Sequence, residues 1–113
     1  MIIVEKNEGR KIDWELIGTR LSFADGELML NLARYQQDEI VMRDIMVDNE
    51  GYLTTGRGRY YAAQVEIPAR EYEEEIIEPT EPDAEPEIRR TPLPLDTDKV
   101  TLYLFSIEGI IIN

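Results

Sequence analysis

The sequence predicts a mainly β fold, or an α+β fold with one short helix. The expected architecture is a small antiparallel sheet, sandwich or partly open barrel, with a long Pro/Glu-rich internal loop before the last strand. Three observations carry this. Short runs alternate apolar and polar side chains, the period of a half-buried strand. Asp25-Gly26 marks a tight hairpin, because a type I′ turn requires φ > 0 at both central positions. All six prolines fall between residues 68 and 94, where none of the seven glycines lies, so one segment differs in kind from the rest.

The elements follow in order. "MIIVEK" is a short apolar run that stops at the turn-like "NEG". In "KIDWELIG", Ile12, Trp14 and Leu16 alternate with Asp13 and Glu15, which makes Trp14 a core candidate. Around Asp25-Gly26 the hairpin register sets Phe23 opposite Leu28 and Leu21 opposite Leu30, with Ser22, Met29, Arg20 and Asn31 on the other face. "ELMLNLARYQQ" is also rich in helix formers, so strand and helix compete over residues 27 to 47. "EIVMRDIMV" carries a charge on each alternating face, Arg43 and Asp44, which favours an edge strand or a helix turn over a central strand. "DNEG" reads as a turn. "RYYAAQVEI" is an amphipathic strand with Tyr61, Ala63, Val65 and Ile67 on one face, halted by Pro68.

Residues 1–70 and 100–113 thus form a single β-rich domain, and 71–99 an acidic, Pro-rich linker or extended loop, mobile in character. Between Glu71 and Arg90 stand nine acids and two bases, a net of −7, leaving −5 of the total −12 for the other 93 residues. A Glu- and Pro-rich, glycine-free segment favours polyproline-II-like extension at about 3.1 Å per residue, a reach on the order of 80 Å. Within residues 73 to 98 the apolar anchors are Ile76, Ile77, Ile88, Leu93 and Leu95. "VTLYLFSIEG" then has apolar residues on both faces, as a buried strand does.

Composition excludes much chemistry. There is no cysteine and no histidine, which removes disulfides, thiol chemistry and the usual general base at neutral pH. Gly56 and Gly58 in "TTGRGRYY" lack the third glycine of a dinucleotide fingerprint and the Gly-Lys-Ser/Thr of a P-loop. Arg57 and Arg59 beside Tyr60 and Tyr61 resemble a single-strand platform, but such platforms need a positive groove. "DNEG" and "DTD" miss the ligand spacing of a calcium loop. We therefore expect no enzyme, no cofactor and no metal. The acidity argues against nucleic acid or an anionic membrane as partner. Only four apolar residues precede Glu5, short of a signal-peptide core, and no apolar run approaches the ~20 residues of a membrane span. A cytoplasmic location, or one within an assembled particle, is expected.

What remains is a non-enzymatic structural or protein-interaction module, expected to self-assemble; by elimination, a minor component of a phage or prophage particle fits. The last strand could fold back into its own sheet, since loop closure costs grow slowly with length. It could equally complete a neighbouring subunit's sheet. Candidate partner-binding residues are Tyr103, Phe105 and Ile107 on that strand, with Ile110, Ile111 and Ile112 in "GIIIN". The alternative is an acidic regulatory protein whose 71–88 segment binds a basic partner or mimics nucleic acid, with Glu73, Glu74 and Glu75 as the contacting acids.

Overall fold

The computed structural model describes all 113 residues. It contains β1 (Ile2–Glu5), β2 (Trp14–Ile17), β3 (Arg20–Phe23), β4 (Leu28–Asn31), α1 (Leu32–Tyr35), β5 (Val41–Val47), β6 (Leu53–Thr55), β7 (Tyr60–Ile67), β8 (Tyr72–Ile77), β9 (Glu87–Pro92) and β10 (Thr101–Leu104). The fold is mainly β with one short helix, in small and chiefly antiparallel sheets with no closed barrel.

Asp25 and Gly26 both take positive φ, 54° and 89°, and Glu27 N–H donates to Ala24 O at 3.2 Å across them. That turn pins β3 to β4 in the expected register, Phe23 opposite Leu28 and Leu21 opposite Leu30. β2 adds to the other side of β3 and makes a three-stranded sheet. The helix-or-strand competition resolves in sequence order. β4 ends at Asn31, α1 makes one turn, and β5 begins at Val41.

Five strands form the larger sheet in the order β1-β10-β7-β5-β6, with only the β1–β10 pair parallel. β5 therefore lies between two neighbours, not at an edge. The charges that argued against this are accommodated: the Arg43 guanidinium lies 4.8 Å from the centre of the Tyr35 ring, and Asp44 accepts from Gln64 Nε2 at 2.8 Å. In β7 the register against β5 shifts at Ala62, so Tyr61 leaves the core face predicted for it and is exposed. Such a bulge inserts an extra residue into one strand and breaks the period-two alternation there, so Ala62 and Ala63 are both buried.

Both sheets feed one core. Leu21, Phe23 and Leu30 come from the smaller sheet, and Ile45, Val47, Ala63, Val65, Ile67, Leu102 and Leu104 from the larger. Trp14 lies on an edge strand and is only partly covered, contrary to its expected place in the core. Gly58 is required for a different reason from a turn glycine. A Cβ there would collide with Met46 Cβ and meet Val47 O at 3.1 Å, so the 56–59 loop can cross β5 only without a side chain.

Candidate functional site

Where the sequence suggested an extended segment, β8 and β9 pair as an antiparallel ribbon that projects from the body. The molecule measures 71 × 23 × 20 Å, with a radius of gyration of 19.4 Å. A compact chain of this length would have a radius near 13 Å, so the arm dominates the shape.

The base of the arm is clamped. Gln36, 8 % exposed, donates from Nε2 to Pro68 O at 3.2 Å. Arg70 donates from its backbone to Gln37 O at 2.7 Å and from Nη2 to Gln36 O at 2.8 Å. Its guanidinium also sits 3.8 Å from Asp38, whose carboxylate accepts from the Tyr72 hydroxyl. On the returning chain, Leu93 N–H donates to Glu71 O and Lys99 Nζ to Glu71 Oε1, both at 2.8 Å. The Glu71 hydrogen bond and charge hold the Lys99 ammonium above its ordinary pKa of 10.5.

Beyond Tyr72 the arm has only its own two strands. Cross-strand register sets Glu74 opposite Arg90, Glu75 opposite Arg89 and Ile76 opposite Ile88. One face therefore carries Tyr72, Glu74, Ile76, Ile88, Arg90 and Pro92. Arg90 lies 4.3 Å over the Tyr72 ring and 3.4 Å from Glu74, a pair about 60 % exposed on both sides. Exposed pairs of this kind contribute about 0.2–1 kcal/mol. Ile76 and Ile88, 66 % and 63 % exposed, cover one another only in part. A lone two-stranded ribbon is marginal in water. The tip, residues 78–86, holds four acids and three prolines and is closed by Ala84 N–H to Glu81 O at 3.2 Å. Pro92 is tolerated within β9 because the outer edge of that strand is unpaired.

The outer face of the smaller sheet offers the opposite charge. Register places Ile17, Arg20 and Asn31 in one row and Glu15, Ser22 and Met29 in the next. Arg20, Met29, Asn31, Arg34 and Tyr35 line a shallow depression at the end near α1. Neither Arg20 nor Arg34 has a carboxylate within ion-pair distance. Met29 and Ile17 are 55 % and 66 % exposed beside them. The acids of this face, Asp13, Glu15 and Asp25, gather around a separate hollow with Trp14 and Ser22.

The residues singled out from sequence divide into three groups. Glu73, Glu74 and Glu75 stand exposed on β8. Tyr103 faces outward on the larger sheet, 3.4 Å from Glu66 through its hydroxyl, while Phe105 packs on Tyr61 with ring centroids 5.2 Å apart. Ile107 is core, Ile110 and Ile112 pack against it, and only Ile111 is exposed. "GIIIN" is not a strand. It is fastened by Arg10 Nη2 to Ile110 O at 2.9 Å and by Asn113 N–H to Gly51 O at 2.8 Å. β10 itself is shorter than expected and has both edges occupied within its own chain, by β1 and β7.

Arg20, Arg34 and Met29 carried no sequence signal as a site, since they converge only through the β3–β4 register and the turn of α1. No trio of acidic side chains is placed to hold a metal ion. No helix is long and apolar enough to cross a membrane. No family model matches the chain, and comparison with curated proteins and with solved structures found no match.

Proposed function

We propose that this chain is a non-enzymatic, self-associating interaction subunit whose working part is the β8–β9 arm. The observation that carries this reading is the exposed Ile76–Ile88 pair on a two-stranded ribbon that touches the body only at its base. Apolar surface displayed on a projecting ribbon is stabilised when another surface covers it. Self-association runs through the arm and not through exchange of the C-terminal strand, whose neighbours β1 and β7 are already in place. The test is light-scattering mass of the full chain against a version with residues 74–90 replaced by Asn-Gly. The full chain should exceed 13.1 kDa at high concentration, and the shortened one should stay monomeric while keeping a cooperative thermal unfolding transition. The same number of chains per particle for the two would refute the proposal.

The nine acids of residues 71–90 favour one second reading, an arm that seats on a basic protein. That reading predicts a monomeric chain that retains a basic partner at low salt only.

A further inference from the structure

The arm and the Arg20–Arg34 depression are complementary in two respects, and both belong to the same chain. At its distal end the arm presents Ile76 and Ile88 on one face, with the acids Glu78, Glu81, Asp83 and Glu85 in the tip just beyond them. Of these acids none is in an ion pair. The depression presents Met29, with Ile17 on the same face across Arg20, and Arg20 and Arg34 are also free of ion pairs. A third guanidinium, Arg43, lies on the ring of Tyr35, which lines the same depression, and its Nε is buried without a hydrogen-bond partner.

The arm cannot serve its own depression. Its contacts with the body end at the Gln36, Asp38 and Lys99 clamps, and beyond Tyr72 it runs away from the body along the 71 Å axis. We infer that the distal arm of one copy docks in the Arg20–Arg34 depression of a second copy, Ile76 and Ile88 against Met29 and Ile17, with Glu78 and Glu85 of the acidic tip facing the two arginines. This rests on the self-association reading above and assigns it a site. The contact joins two different surfaces, so it closes by reciprocal exchange in a pair or continues as a ring or filament. Charge sets orientation and encounter rate, while the four apolar side chains supply the buried centre.

The other arginine pair, Arg57 and Arg59, is a weaker receptor. Its hollow includes Asp48 and no apolar side chain, so it matches neither property of the arm tip.

The experiment is a charge swap read by sedimentation velocity and light scattering. Arg20→Glu/Arg34→Glu changes the receptor, and Glu78→Arg/Glu85→Arg changes the arm. Circular dichroism and thermal melts confirm that each variant folds. Each alone should weaken association by at least about tenfold, since like charges then face each other. An equimolar mixture should associate as the wild type does, because each variant's arm then meets an opposite charge on the other's body. Association weakened equally by Arg57→Glu/Arg59→Glu, or unaffected by Arg20→Glu/Arg34→Glu, would overturn this docking site while self-association stands. A wild-type chain that is monomeric at every concentration would remove both.

Discussion

Replacing Leu102 with alanine probes whether the C-terminal strand belongs to the chain's own core. Leu102 is fully buried and sits between Ile3 on β1 and Val65 on β7. Losing three carbons at about 0.8 kcal/mol each removes about 2.4 kcal/mol of transfer free energy. The cavity that remains adds to this, because a residue held between two paired strands leaves little room for collapse, giving about 3–4 kcal/mol. For a chain of 113 residues this lowers the melting temperature by about 12–16 °C. Urea unfolding followed by Trp14 fluorescence would report the change as a lower midpoint at unchanged slope. Ile111→Ala, at a residue 80 % exposed, should stay within about 0.5 kcal/mol of wild type. A Leu102→Ala loss below about 1 kcal/mol would refute the central placement of β10.

Two other predictions concern the body and the arm's base. Gly58→Ala should cost about 1–3 kcal/mol in urea unfolding, since the new methyl strikes Met46 and Val47 on β5. Lys99 should titrate above 10.5 in the folded protein by NMR of its side-chain carbons, and return toward that value in Glu71→Gln. Because its folded pKa is the higher one, its contribution to stability is fully present at neutral pH and is lost as pH rises through that raised value. A normal Lys99 titration would break the clamp described at the base of the arm.

Much of the body was legible from local patterns. Asp25-Gly26 fixed one hairpin and its register, and the alternation in "RYYAAQVEI" identified β7. What failed did so for identifiable reasons. The charges at Arg43 and Asp44 disguised an interior strand, because their partners Tyr35 and Gln64 lie on other elements, outside the strand's own pattern. Tyr61 changed face through a bulge at Ala62 that period-two counting cannot register.

The arm was the larger miss. "YEEEII" has no alternation, and three consecutive glutamates with nearby prolines read as a solvated spacer. Its pairing depends on Arg89, Arg90 and Ile88 meeting Glu75, Glu74 and Ile76 across a glycine-free loop, for which no short turn signature exists. "GIIIN" misled in the other direction. An apolar run suggested a strand, yet its isoleucines cover the core from an irregular tail held by Arg10.

The most direct test of the account is the light-scattering mass of wild type and Ile76→Glu/Ile88→Glu over a wide range of concentration. Both residues are exposed in the single chain, so the substitutions leave the body intact. Wild type should show a mass above 13.1 kDa that falls toward it on dilution, and the variant should remain at 13.1 kDa throughout. A wild type that never exceeds the monomer mass, or a variant that associates as strongly as wild type, would contradict it.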